Sequence, residues 1–332
     1  MPPPLPARIY SGTVRNLATL ARRLRAGELV AVPTETVYGL AANALDARAC
    51  RRIFTAKGRP TRDPLIVHLH SAGELNWVAE PNTAALRLAK AFWPGPLTIV
   101  LPKKAVVPEV VTAGRPSVAV RVPSHPLFRR LLKLAGVPLA APSANAFGYV
   151  SPTTAEHVRL GLGKKIRHIL DGGAARIGLE STIVDLRDAA RPRLLRPGAI
   201  TRAELERVLG TKVAGLPAAS RHRAGGPGEL APGMLARHYS PRTPVVVHQT
   251  LPRGAARTAG DAWVAVARPA GRVGKNIFWL DPRGDLRGAA RRLFALLREL
   301  DRGRFKKIHV ELACGGGLAD AINDRLRRAA AR

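Results

Sequence analysis

Short apolar runs alternate with stretches of helical period along most of the chain, and that alternation points to an α/β architecture, a sheet covered by helices. Leu17, Leu20 and Leu24 lie at helical spacing with Gly27 as a stop, and LVAV at 29–32 reads as the strand that follows. Asp46 is placed to cap a second helix that buries Cys50, Ile53 and Phe54 and breaks near Gly58 and Pro60. PLIVHLH, LTIVLPK, SVAVRVP, VPLAAPSAN, IRHIL, STIVDL and RLLRPG continue as strands. Helices are expected from near His125, after Thr153 and over Thr201–Leu209.

From Gly210 to Pro241 the text turns rich in Gly, Pro and Ala and loses all period, as a linker between domains does. PVVVHQ, AWVAVARP, NIFWL and KKIHVELA then read as strands, with helices near 285–301 and 318–331. A chain of 332 residues exceeds the usual single domain. The expected division is a first domain over 1–210, a linker over 211–241 and a smaller α/β domain over 242–332. The glycines of CGGGLADAINDRL match neither dinucleotide-binding nor P-loop spacing and read as a tight strand-to-helix turn.

No apolar run approaches the roughly 20 residues that span a bilayer, so no membrane association is expected. MPPPLPARIY has neither the charged start nor the apolar stretch of a secretion signal, so a cytoplasmic location is expected. Cys50 and Cys314 are too few for a disulfide framework or a paired zinc site, and both are expected to be buried thiols. Against 23 acidic residues stand 54 basic ones, a net charge of +31. Such a field favours polyanions, although arginine-rich genome composition produces the same excess. It is not a basic tail: positions 242–332 carry 19 basic and 8 acidic residues, a surplus of +11.

Lys57, Arg59 and Arg62 crowd a turn leaving a helix, where a planar guanidinium fork and a compact ammonium can aim at one polyphosphate. A solvated surface loop is the plainer reading. In APSAN, Ser143 and Asn145 alternate so that both can face one side and offer a hydroxyl and an amide to a ligand; a capped turn would use them equally well. GLESTIVD adds Ser181 at the entrance to a strand, and LLRPG adds Arg196 at the exit of the next. His68 inside its strand fits a satisfied core imidazole. Arg121, between Val120 and Val122, needs a buried partner or a cavity, and a carboxylate ligand would serve.

Taken in order, PTETVYGL, KGRP with PLIVH, FWPGPLT, VAVRVP, APSAN, ESTIVD, RPG and PGMLARHYSP resemble the Sua5/YrdC family of L-threonylcarbamoyladenylate synthases, in its two-domain form. The resemblance implies a YrdC-like twisted mixed sheet around a basic concave cavity, followed by a smaller Rossmann-like domain. It implies joining of L-threonine, bicarbonate and ATP, with Mg2+ accompanying the nucleotide, to give threonylcarbamoyl-AMP and pyrophosphate. The adenylate would pass to the transferase machinery that forms t6A at position 37 of tRNA. By the same resemblance Thr36, His68, Arg121 and Ser181 hold threonine, with Arg121 against its carboxylate. Lys57, Arg59, Asp63, Ser143, Asn145, Ser151 and Arg196 hold ATP, and Lys57 and Arg59 act in catalysis. No protein side chain is implied as a metal ligand. His238 and Tyr239 belong to the linker, which in this family folds back over the cavity as a lid. Three positions are set against the common pattern. Asp63 replaces an asparagine, with Arg62 as a compensating neighbour, Ala141 removes a hydroxyl, and Ser181 stands where threonine or serine occurs. A different class of function, a double-stranded RNA or tRNA binder on a YrdC-like fold, fits the charge but lacks an aromatic-rich stacking motif.

Overall fold

A computed structural model describes residues 7–215, 238–252, 258, 260–271 and 273–331. The strands of the larger unit are β1 (Arg8–Tyr10), β2 (Val30–Val32), β3 (Gly39–Asn43), β4 (Ile66–His68), β5 (Leu97–Pro102), β6 (Ser117–Arg121), β7 (Leu139–Ala140), β8 (His168–Leu170), β9 (Thr182–Asp185), β10 (Arg193–Arg196) and β11 (Ala214–Gly215). Its helices are α1 (Val14–Arg25), α2 (Ala47–Lys57), α3 (Leu75–Val78), α4 (Thr83–Phe92), α5 (Glu109–Thr112), α6 (Pro126–Ala135), α7 (Ala155–Leu162) and α8 (Arg202–Leu209). The smaller unit holds β12 (Val245–His248), β13 (Ala262–Ala267), β14 (Ile277–Asp281), α9 (Leu286–Arg302), β15 (Ile308–Glu311) and α10 (Leu318–Ala330).

The eleven strands form one mixed sheet in the order β1-β8-β2-β3-β7-β4-β6-β5-β9-β10-β11. Its centre matters most for function. β4 and β6 run parallel with His68 in register with Arg121, so the two polar side chains emerge together from an otherwise apolar surface. The sheet folds because its short strands are almost wholly apolar and its helices present matching stripes: Leu17, Leu20 and Leu24 of α1 are buried, as are Cys50, Ile53 and Phe54 of α2. Asp46 caps α2 by accepting from the amides of Arg48 and Ala49. Gly58 ends it at φ +63°, a left-handed conformation that glycine adopts without a Cβ penalty.

The four-stranded sheet β12-β15-β13-β14 is parallel throughout, in keeping with a small Rossmann-like unit. Its core does not stop at its own border. Leu293, Phe294, Leu297 and Ile322 form one buried cluster with Val37, Val150 and Leu179 of the larger unit and with Tyr239. At Gly178 (φ +81°) the two backbones touch: a Cβ there would lie 2.5 Å from the Arg291 Cα and 2.6 Å from the Ala290 carbonyl oxygen.

Some expectations fail. Cys314 is exposed, because it sits on the turn after β15, and only Cys50 is buried. β1, β3, α3, α4, α5 and β11 had no counterpart in the sequence reading. Positions 216–237, most of the stretch read as linker, lie outside the described residues. No helix among the described residues is long and apolar enough to cross a membrane.

Candidate active site

At the centre of the large sheet a small cavity is lined by Thr34, Thr36, Val37, Gly39, Arg59, Ile66, His68, Arg121, Ala141, Pro142, Ser143, Glu180, Ser181, Arg196 and His238. Seven residues expected from sequence to bind substrates therefore converge there: Thr36, Arg59, His68, Arg121, Ser143, Ser181 and Arg196. They arrive from loops and strands separated by up to 160 positions. Lys57, Asp63, Asn145, Ser151 and Tyr239 stand just behind the wall.

Lys57 closes the last turn of α2, where its ammonium donates to the main-chain carbonyls of Ser143 and, at 2.6 Å, of Asn145. Burial, and then the nearby Arg59 charge, depress its pKa well below the ordinary lysine value. Arg59 donates to the carbonyls of Asp63 at 3.0 Å and Pro64 at 2.7 Å and pairs with the Asp63 carboxylate at 2.9 Å. Asp63 is thus compensated by Arg59 and not chiefly by Arg62, which is exposed and outside the cluster. Burial raises the Asp63 carboxyl above its usual range even so. Asn145 also departs from expectation. Its amide donates at 2.8 Å to the carbonyls of Ala146 and Tyr149, which turns it away from the cavity and into the loop.

The other half of the cavity is built around Arg121. Its guanidinium donates to the Gly95 carbonyl at 3.2 Å and to Thr36 Oγ1 at 3.0 Å, and lies 2.8 Å from Glu35 Oε1. Burial alone would raise the Glu35 carboxyl, yet the Arg121 charge holds it below its ordinary value, so the pair is ionic. Thr34 and Thr36 share a 2.7 Å hydroxyl contact. Burial, and then Arg121, push the His68 pKa down to about 3, which leaves a neutral imidazole whose Nδ1 sits 3.2 Å from the Ile66 carbonyl. Ser181 Oγ meets Thr98 Oγ1 at 2.7 Å and accepts from Arg196 at 3.0 Å.

The smaller unit and the last described residues of the linker complete the surroundings. His238 and Tyr239 are buried, their rings edge to face at 4.0 Å, with Tyr239 also stacked on Phe294 at 5.4 Å. His238 forms part of the wall, its pKa driven well down by burial and then by Arg59 and Lys57. The space this wall bounds is narrow, with a cavity volume of about 40 Å³. Behind it Ser151 Oγ donates to Glu180 Oε1, and Arg325 of α10 donates to Glu180 Oε2 at 2.9 Å.

Two sequence profiles match most of the chain. One, described as telomere recombination and grouping Sua5, YciO and YrdC, covers residues 22–198; the other, described as the threonylcarbamoyl-AMP synthase C-terminal domain, covers 200–331. The chain belongs to the threonylcarbamoyl-AMP synthase family. Threonylcarbamoyl-AMP synthase of Pyrococcus abyssi is 44% identical over 92% of this chain and 91% of its own length. The Bacillus subtilis threonylcarbamoyl-AMP synthase is 38% identical over 95% and 93%. A crystal structure of P. abyssi Sua5 complexed with L-threonine superimposes with a TM-score of 0.89 at 40% identity, covering 98% of each chain.

For a threonylcarbamoyl-AMP synthase the donor set has one further implication. The carboxylates around the cavity, Glu35, Asp63 and Glu180, are each engaged by an arginine, and the described residues contain no cluster of histidine, cysteine or carboxylate groups fit to hold a metal. These residues do not suit a protein-held cation. Sequence reasoning missed Thr34, Glu35, Glu180 and Arg325. The first three lie inside PTETVYGL and GLESTIVD, and their signal was a polar residue within a buried motif.

Proposed function

We propose that this member of the threonylcarbamoyl-AMP synthase family joins L-threonine, bicarbonate and ATP to give threonylcarbamoyl-AMP and pyrophosphate. The observation that carries the reading is the convergence of Thr36, His68, Arg121 and Ser181 with Arg59, Ser143 and Arg196 on one cavity. The first four suit an amino acid: a guanidinium for the carboxylate, and hydroxyls with a neutral imidazole for the amine and side chain. Lys57, Arg59 and Arg196 suit a polyphosphate, with Asp63, Ser143, Asn145 and Ser151 ordering the loops around it.

In this reading the threonine amine captures CO2 from bicarbonate, a C–N bond forming as the bicarbonate C–OH bond breaks and water leaves, to give N-carboxythreonine. One oxygen of the new carboxylate attacks the α-phosphorus of ATP, a P–O bond forms, and the bond to the β-phosphate breaks to release pyrophosphate. The demand is for neutralisation of charge on the leaving group, more than for a base, and Lys57 and Arg59 supply it by preorganised electrostatics. The Ser143 and Asn145 carbonyls that accept from the Lys57 ammonium hold it in place beside the phosphate half of the site. Mg2+ enters as part of the nucleotide substrate. His238 and Tyr239 withdraw to admit ATP and return over it, and the product passes to the transferase machinery that forms t6A in tRNA.

The test is incubation of the protein with ATP, Mg2+, bicarbonate and L-threonine, following pyrophosphate release and looking for the adduct by mass spectrometry. Adduct formation that requires all three substrates is expected. No adduct, together with RNA binding at physiological salt far tighter than ATP binding, would overturn the reading in favour of an RNA-binding role.

A further inference from the structure

Two buried arginines of the smaller unit reach the nucleotide half of the cavity without lining it. Arg325 on α10 is fully buried and donates to Glu180 Oε2 at 2.9 Å and to the Pro197 carbonyl at 2.9 Å, while its guanidinium lies 5.3 Å from the centre of the Tyr239 ring. Arg298 on α9 donates to the carbonyls of Val150 and, at 3.2 Å, of Ser151. Ser151 is therefore tied to the smaller unit at both ends, directly at its carbonyl by Arg298 and indirectly at its hydroxyl through Glu180, a residue of its own unit that Arg325 holds in turn.

Glu180 presents an acidic group in a wall otherwise suited to polyanions. Its charge is felt at Lys57 and Arg196. Left unpaired, the carboxylate would turn to those cations and compete with phosphate for them, since a buried charge without a partner is strongly disfavoured. Pairing with Arg325 removes the competitor and fixes its rotamer, and an arginine fork can hold Glu180 and the Pro197 carbonyl together as a lysine ammonium cannot.

We propose that Arg325 is a positioning residue for the nucleotide, one that keeps Glu180 off the phosphate-binding cations and Ser151 in place, and so makes the ATP half of the site depend on the smaller unit. The inference rests on the synthase reading above. Its test is steady-state adduct formation by four proteins, the unaltered chain, R325M, E180Q and E180Q/R325M, with KM measured separately for ATP and threonine. R325M is expected to raise the ATP KM by about ten-fold or more and to leave the threonine KM within about two-fold. E180Q/R325M removes the competing charge together with its partner, and is expected to return the ATP KM to within about three-fold of E180Q alone. If R325M does not fold, R325K takes its place, with a smaller rise confined to ATP. Equal rises for both substrates, or a double variant no better than R325M or R325K, would mean that Arg325 merely docks the two units and would overturn the inference. An unaltered chain that makes no adduct would overturn the synthase reading and this inference with it. That result is distinct from a working enzyme that fails only the rescue.

Discussion

The two units bury charge in opposite ways. In the larger one Lys57, Arg59, Asp63, His68, Arg121 and Arg196 turn inward around a cavity, and most of their partners are carbonyls and carboxylates of the same unit. In the smaller one Arg298 and Arg325 reach out to partners across the seam. A cation can stay buried only where something compensates it. The larger unit compensates with groups that a substrate can share, the smaller with Asp324 of its own last helix and with groups that belong to its neighbour. One is consequently a site and the other a brace.

The sharpest way to break this contrast is at Arg121. R121M leaves Glu35 buried without its cation, and a loss of about 3–5 kcal/mol in urea unfolding is expected; a loss near zero would mean that Glu35 does not depend on the pair. L293A truncates a fully buried side chain of α9 and should cost about 2–5 kcal/mol by the same measurement, with both substrate KM values unchanged below the unfolding transition. A change in either KM would show that the brace transmits packing as well as charge. K57A should slow pyrophosphate release by about 10²-fold or more, and near-normal adduct formation would remove Lys57 from the chemistry.

The smallest effect separates the units by pH. His68 is neutral in the folded protein, its pKa about 3 against the usual 6.5. Between those values the unfolded chain binds the extra proton, so stability falls as pH drops, by up to about 1.4 kcal/mol per pH unit. Unfolding of the unaltered chain and H68Q at pH 6 and pH 5 should show a shallower loss in the variant. Parallel curves would mean that the imidazole does not carry the penalty.

Much of the cavity was legible in sequence because each residue advertised itself locally. Lys57 and Arg59 flank a helix-ending glycine, and Arg121 interrupts a valine-rich strand. Arg62 looks the same as Arg59 in a one-dimensional reading, and only the turn of the loop decides which of them points inward. Arg298 and Arg325 sit in RELDRG and NDRLRR, runs indistinguishable from a solvated helix face. Their partners lie 147 and 145 residues away. β3, GLAAN, carries no β-branched residue, so it is held by its neighbours β2 and β7 more than by its own propensity.

Gly178 has a consequence for heredity. Its missing Cβ is the clearance through which α9 passes, so any side chain acquired there must displace a helix belonging to the other unit. A chimera that takes its small unit from a relative must therefore leave this clearance open if α9 is to keep its path.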